Sequence, residues 1–354
     1  MLHRLVTTVV GLCLAAGCDR REPAPAGEAR TMPAAASDTL PATVLFDGEE
    51  LGRPQSVGVL GDWLLVSDDP RPHALHVIRR ADGRYLTSWG REGGGPGEFR
   101  NLWSIHPAGR GSAWLFDPTQ TRLTLLDVPA LLAGESNPVR RSVNLRAESA
   151  PMTAVWMSDT LLVSSGMFTR GRLATFDTAG QLKTTVGPLP QASEGVPPTV
   201  AQHAYSGTLV RHPARPLVAI GTRHADRVEI YGADGRLVQV GRGPRNFEPV
   251  FEVQVRGGAP IMASGDDMRF GYVDLAAAGE HLYGLYSGRS RAERPGQAFY
   301  GGEVHVFDWS GRLLRILPLD HLALALAVSP DERTLYSLRH NPTPAVLQHT
   351  LARE

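Results

Sequence analysis

One short apolar segment recurs six times along this chain, and that repeat constrains the fold more than any other feature. Its copies are LLVSD (64–68), AWLFD (113–117), LLVSS (161–165), LVAIG (217–221), LYGLY (282–286) and LYSLR (335–339). Each is a nearly continuous apolar run, as expected of a β-strand buried on both faces. A second segment follows every copy: ALHVIR (74–79), RLTLLD (122–127), RLATFD (172–177), RVEIYG (227–232), EVHVFD (303–308) and AVLQHT (345–350). Most of these alternate with period two, so one face is more buried than the other. Four continue into a near-identical turn, namely ADGR (81–84), TAGQ (178–181), ADGR (233–236) and WSGR (309–312). Its glycine supplies the positive φ of a tight hairpin. A further strand leaves each turn, at Tyr85–Trp89, Leu182–Val186, Leu237–Val240 and Leu313–Leu317.

Six units over roughly 310 residues give about 52 residues each, the size of a four-stranded propeller blade with some long loops. The last unit stops after Thr350 without an outer strand, while Thr43–Phe46 (TVLF) is a spare strand at the other end. The expectation is an all-β, six-bladed β-propeller of four-stranded blades, with Thr43–Phe46 closing the ring and removing the open sheet edges. An open solenoid of the same period would need polar capping units, and neither end carries one. No convincing amphipathic helix interrupts the pattern.

Residues 1–17 read as a signal peptide: Arg4, then the twelve-residue apolar run Leu5–Ala16. That run is too short to cross a hydrocarbon layer of about 30 Å. Leu14-Ala15-Ala16-Gly17-Cys18 resembles the lipobox of bacterial lipoproteins, with Ala15 where that family usually carries Leu. The resemblance implies cleavage before Cys18 and a lipid on its sulfur. The chain has two cysteines, Cys13 and Cys18, so the mature domain would hold no free thiol and no disulfide. Residues 18–42 form a lipidated cysteine and an Ala/Pro-rich tether without aromatic residues, which cannot bury enough apolar area to offset ordering. Residues 43–354 are the propeller.

The most distinctive segment is WGREGGGPGEF (89–99). It resembles the glycine-rich hallmark after the first blade of TolB-like and NHL-like six-bladed propellers found in bacterial lipoproteins. LYGLYSGR (282–289) and VHVFDWSG (304–311) extend the likeness to the TolB-like group. The resemblance spans about residues 43–354 and implies the fold, not an activity. Gly93 to Gly97 cannot form a regular strand; the segment reads as a demanding inter-blade connection leading to Phe99 as a packing anchor. A phosphate loop is excluded, because no helix follows and the required spacing is absent.

Chemistry is sparse. G-x-S-x-G, H-E-x-x-H and C-x-x-C are all missing. His73 and His76 fall on opposite faces of a strand. Basic and acidic residues balance at 36 each, which gives no electrostatic case for nucleic acid. Lys183 is the only lysine, so an anionic ligand would have to be met by arginine. Asp68-Asp69 and Asp266-Asp267 are acidic pairs, but Asp68 precedes Asp69-Pro70 and Asp117 precedes Pro118, and both read as strand-ending turn residues capping their own backbone.

The loops that follow the first repeated strand leave one face of the ring. They carry the candidate binding residues Arg71, Arg223, Arg289, Arg291, Arg294, Tyr300 and Arg339. Arginine forks suit carboxylates or sulfates, and the aromatics can stack on sugars or peptide groups. The reading is a cell-envelope propeller of a bacterium, on the periplasmic or surface side, lipid-anchored to a membrane through Cys18. It acts as a binding or scaffolding module for an envelope protein, peptide or glycan, and neither cofactor nor metal is expected. The alternative is a metal-dependent envelope hydrolase or lyase of the six-bladed lactonase type, with Ca²⁺ or Zn²⁺ in the channel.

Overall fold

The computed structural model describes residues 38–352 except 71, 110 and 191–193. The signal segment, Cys18, the tether up to residue 37 and Arg71 lie outside the described residues. Six four-stranded antiparallel sheets form the blades. The two repeated segments are the second and third strands of each blade, as Trp63–Ser67 and Leu75–Arg79 are in blade 1. The innermost strands, which share no common residue pattern, are Ser56–Leu60, Ser104–Gly109, Pro151–Ser158, Gly207–Arg211, Tyr272–Ala278 and Ala325–Val328.

The apolar runs follow from how the blades stack. Leu64 and Val66 join a cluster with Tyr336 and Val346 of blade 6, whereas Leu65, between them, packs with Leu115 and Leu126 of blade 2. Successive side chains of a strand point to opposite faces, so a strand sandwiched between blades needs apolar residues at every position. Four further clusters fill the remaining junctions, from blades 2 and 3 round to blades 5 and 6.

The ring is closed by the chain's two ends. Thr43–Phe46 pairs antiparallel with Ala345–Thr350, with Thr43 opposite Gln348 and Phe46 opposite Val346. Phe46 stacks on Tyr85 of blade 1 at 5.6 Å between ring centroids. A polar peg fixes the entry to this strand. The Ala42 amide donates to Asp320 Oδ2 (3.0 Å), and His349 Nδ1 donates to the Pro41 carbonyl (3.1 Å). Asp320, His321 and Ser337 stand in the order of a nucleophilic triad, at 2.8 and 2.9 Å. Ser337 is wholly buried and its Oγ also contacts His349 Nε2 at 3.0 Å, so the set holds the closure and has no access to substrate.

The recurring turn has a second purpose. Gly83 sits at φ +71°, and a Cβ there would lie 1.9 Å from the Leu45 carbonyl oxygen. The turn of blade 1 is thus pressed on the closing strand. Gly180 approaches the Asn144 carbonyl of the blade before it in the same way.

The glycine-rich segment is an inter-blade connection, as its backbone demands. The Glu98 carboxylate accepts from the Gly95 amide (2.8 Å) and from Arg91 Nε (2.9 Å). Arg122 of blade 2 donates to the Gly94 carbonyl (2.9 Å) and to that of Glu98, and Gln120 donates to the Gly93 carbonyl (3.1 Å). Phe99 is fully buried, edge-on to Trp89 at 5.7 Å. Two short helices depart from the all-strand expectation. Val128–Leu132 is started by the Asp127 carboxylate accepting from the Ala130 amide, and Pro198–Ala204 carries proline in its first turn.

Gly83→Ala should destabilise the protein by at least ~2 kcal/mol, because it combines an unfavourable φ with a backbone collision. Urea denaturation checks this; an unchanged midpoint would mean that the turn does not bear on the closing strand.

Candidate binding face and central channel

Carboxylates between the second and third strands of three blades organise one face of the ring. Asp68 accepts from the amides of Gly52 and Arg53, and Asp117 from those of Arg100 (2.7 Å) and Asn101 (3.1 Å). Asp226 accepts from the Arg245 (2.7 Å) and Asn246 (2.8 Å) amides. Asp68 and Asp117 do cap their own turns, through the amides of Asp69 and Gln120, but they also fasten the connections between blades. Burial alone would raise the Asp68 pKa; the His76 hydrogen bond and three backbone amides overcome it and hold the carboxyl below its usual range. Their oxygens are engaged by the protein, which removes them as metal ligands.

The innermost strands enclose a central cavity of about 880 Å³. Its wall mixes apolar residues, among them Val273, Ala276, Ala277 and Leu324, with polar ones such as Ser56, His106 and Thr208. Basic groups line it at Arg53, Arg211, Arg223 and Arg291, against one carboxylate, Asp274. Arg223 lies over Trp103, its Cζ 5.5 Å from the ring centre, and Arg291 lies over Phe270 at 5.7 Å. Tyr300 completes this end, with its hydroxyl 3.2 Å from His340 Nδ1 and Phe299 tilted against it at 4.2 Å. Asp274 keeps accessible surface only in part. Its Oδ2 accepts from the Leu326 amide at 2.9 Å, and the Leu275 amide and Thr208 hydroxyl also bond to the carboxyl. Burial dominates these bonds and pushes its pKa up to about 6. His106, on the blade 2 inner strand, is pushed down to about 4 by burial, with a smaller contribution from Arg211.

Of the sequence-predicted residues, Arg223, Arg291 and Tyr300 line the cavity. Arg289 stands beside Gly302 and Glu303. Arg294 is exposed on the blade 5 loop, and Arg339 Nε turns back to the Thr343 carbonyl of its own loop (3.2 Å). That long loop is held in place: Arg269 makes two 2.6 Å bonds to Glu293, Arg245 and Arg269 both donate to the Gly288 carbonyl, and Ser287 Oγ donates to the Ala298 carbonyl. Arg53, Trp103, Phe270 and Asp274 were not anticipated. Asp274 had a readable signal, as the one charge in the apolar run YVDLAAA (272–278). The other three sit on irregular connections with no repeat to mark them. Among the described residues, no three His, Cys, Asp or Glu side chains converge to hold a metal ion. The donor set of a lactonase-type centre is therefore not assembled from them.

Residues 37–331 match the TolB-like 6-blade propeller-like family. The chain belongs to that family. No curated protein matches it significantly. Among solved structures, it is similar in fold to U3-55K, with TM-score 0.52 and 10% identity over 88% of this chain and 98% of that one. It is likewise similar to the WD40 repeats of RRP9, with TM-score 0.52 and 11% identity over 90% and 98%. At these identities the likeness is one of architecture.

Histidines with lowered pKa values contribute to the response of this TolB-like propeller to acid. Burial lowers the pKa of His224 to about 3, that of His106 to about 4, and those of His203, His212, His340 and His349 below the usual value. The unfolded chain binds more protons than the native one from about pH 6.5 downward, so stability falls on acidification. Asp274 acts oppositely between about pH 6 and 3.8, where the native state holds the extra proton. From pH 7.5 to 5, His224 accounts for a loss of about 2 kcal/mol. His224→Asn should reduce the pH dependence of the urea midpoint by that amount; an unaltered slope would mean that His224 titrates freely in the native protein.

Proposed function

We propose that this TolB-like propeller is a lipid-anchored binding module of a bacterial cell envelope. Cys18 carries the anchor, the tether holds the domain off the membrane, and one mouth of the channel receives an envelope protein, peptide or glycan. The observation that carries this reading is the charge imbalance of the channel wall: Arg53, Arg223 and Arg291 beside Trp103, Phe270 and Tyr300, against the lone carboxylate Asp274. Arginine forks over aromatic faces on a rigid scaffold suit a partner that presents carboxylate, sulfate or similar anionic groups. The signal segment and lipobox-like run support the anchor.

Two experiments test the halves separately. Metabolic labelling with an alkynyl fatty acid should mark the wild-type chain and leave Cys18→Ala unlabelled; an unlabelled wild type removes the anchor. Cross-linking capture from intact cells should recover a partner with the wild type. The double variant Arg53→Glu/Arg291→Glu should lose it at least tenfold, and equal recovery would remove the channel mouth as the binding face.

A further inference from the structure

We propose that the channel itself is a binding site for a small monocarboxylate with an aliphatic body, its anionic head on Arg223 and its body along the apolar wall. The proposal rests on the reading of this mouth as the ligand-facing end, and extends it inward. Among the described residues, the Arg223 guanidinium has no hydrogen-bond acceptor. Its neighbours are the face of Trp103 and the charge of Asp274. Burial lowers its pKa, and the charge of Asp274 offsets that only in part. A half-buried guanidinium that faces the void without an acceptor suits a carboxylate, which takes its fork with two charge-assisted hydrogen bonds.

Below Arg223 the wall turns aliphatic. Val273, Ala276 and Ala277 of blade 5 and Leu324 are half-buried along it, while Val57, Ile105, Leu275 and Leu326 lie behind, packed between blades. The inner strand Tyr272–Ala278 spans roughly 20 Å at about 3.3 Å per residue, which gives the void the depth for an extended acyl chain.

Asp274 makes the site sensitive to pH. It is faced by the Thr208 hydroxyl from blade 4, the Leu326 amide from blade 6 and the charge of Arg223. On its other side Arg223 is faced by His203 and His224, whose pKa values are lowered by desolvation and by the Arg223 charge. When Asp274 is protonated, the Arg223 charge is left for the ligand. When it ionises, it opposes the ligand's carboxylate and neutralises Arg223. Anion affinity therefore falls as pH rises through about 6.

Calorimetric titration of the purified chain with decanoate, decan-1-ol and acetate at pH 5.5 and 7.5 tests this. Decanoate should bind at least tenfold more tightly than either control, and each added methylene should strengthen binding about threefold. Decanoate should bind about tenfold more tightly at pH 5.5 than at 7.5, and Asp274→Asn should remove that difference. Arg223→Gln should lose decanoate at least tenfold, and Arg223→Lys should keep part of the affinity. Decanol binding as well as decanoate, undiminished binding by both Arg223 variants, or a pH dependence that survives Asp274→Asn would each overturn the assignment. If Arg223→Gln does not fold, the Asp274→Asn pH profile decides alone. A chain that binds decanoate but captures no partner loses only the mouth reading. One that captures a partner through Arg53 and Arg291 but binds no decanoate loses only the channel site.

Discussion

Everything in this molecule depends on closing the ring. Each blade buries both faces of its second strand, and it can do so only with a neighbour on either side. The clusters that join Leu64 to blade 6 and Leu65 to blade 2 belong to one strand, and loss of either neighbour would leave half of its side chains in water. Pairing of Thr43–Phe46 with the final strand supplies the missing outer edge and joins the two ends of the chain. The Asp320–His321–Ser337–His349 peg and the glycine turn under Leu45 both act at this seam.

The same economy builds the candidate binding face. A carboxylate between the second and third strands gathers amides from the connection that crosses between blades. Asp68, Asp117 and Asp226 do this in three blades. Arg53 emerges directly beside one of these fastenings, and Arg223 lies three residues before another. The channel's charged groups are therefore carried on fixed backbone. One cause, burial beside the channel, raises the pKa of Asp274 and lowers that of Arg223, and each group's charge offsets the other's shift in part.

Much of the fold was legible from the chain alone. Six repeated strand pairs, four matching turns and a spare first strand point to a six-bladed ring, because strands buried on both faces need apolar residues at every position. The innermost strands were not legible. Their edges face the channel and their side chains divide between two unlike neighbours, so SVGVL, SIHPAG and YVDLAAA have little in common. For the site, loop membership singled out Arg223, Arg291 and Tyr300, but the same criterion also selected Arg289, Arg294 and Arg339, which do not line the cavity. Loop membership reports which face a residue leaves from, and says nothing of its distance from the axis.

The sequence by itself determined the blade count, the place where the ring closes and the role of the glycine-rich connection, because each follows from local backbone demands and from a period that repeats. Only the tertiary structure decided which charges meet. Arg53, Trp103, Arg223, Asp274 and Arg291 are separated by up to more than two hundred positions along the chain, and their association comes from the closure of the ring. No local pattern encodes that convergence, because Asp274 sits on an inner strand without a common motif and the others on irregular connections.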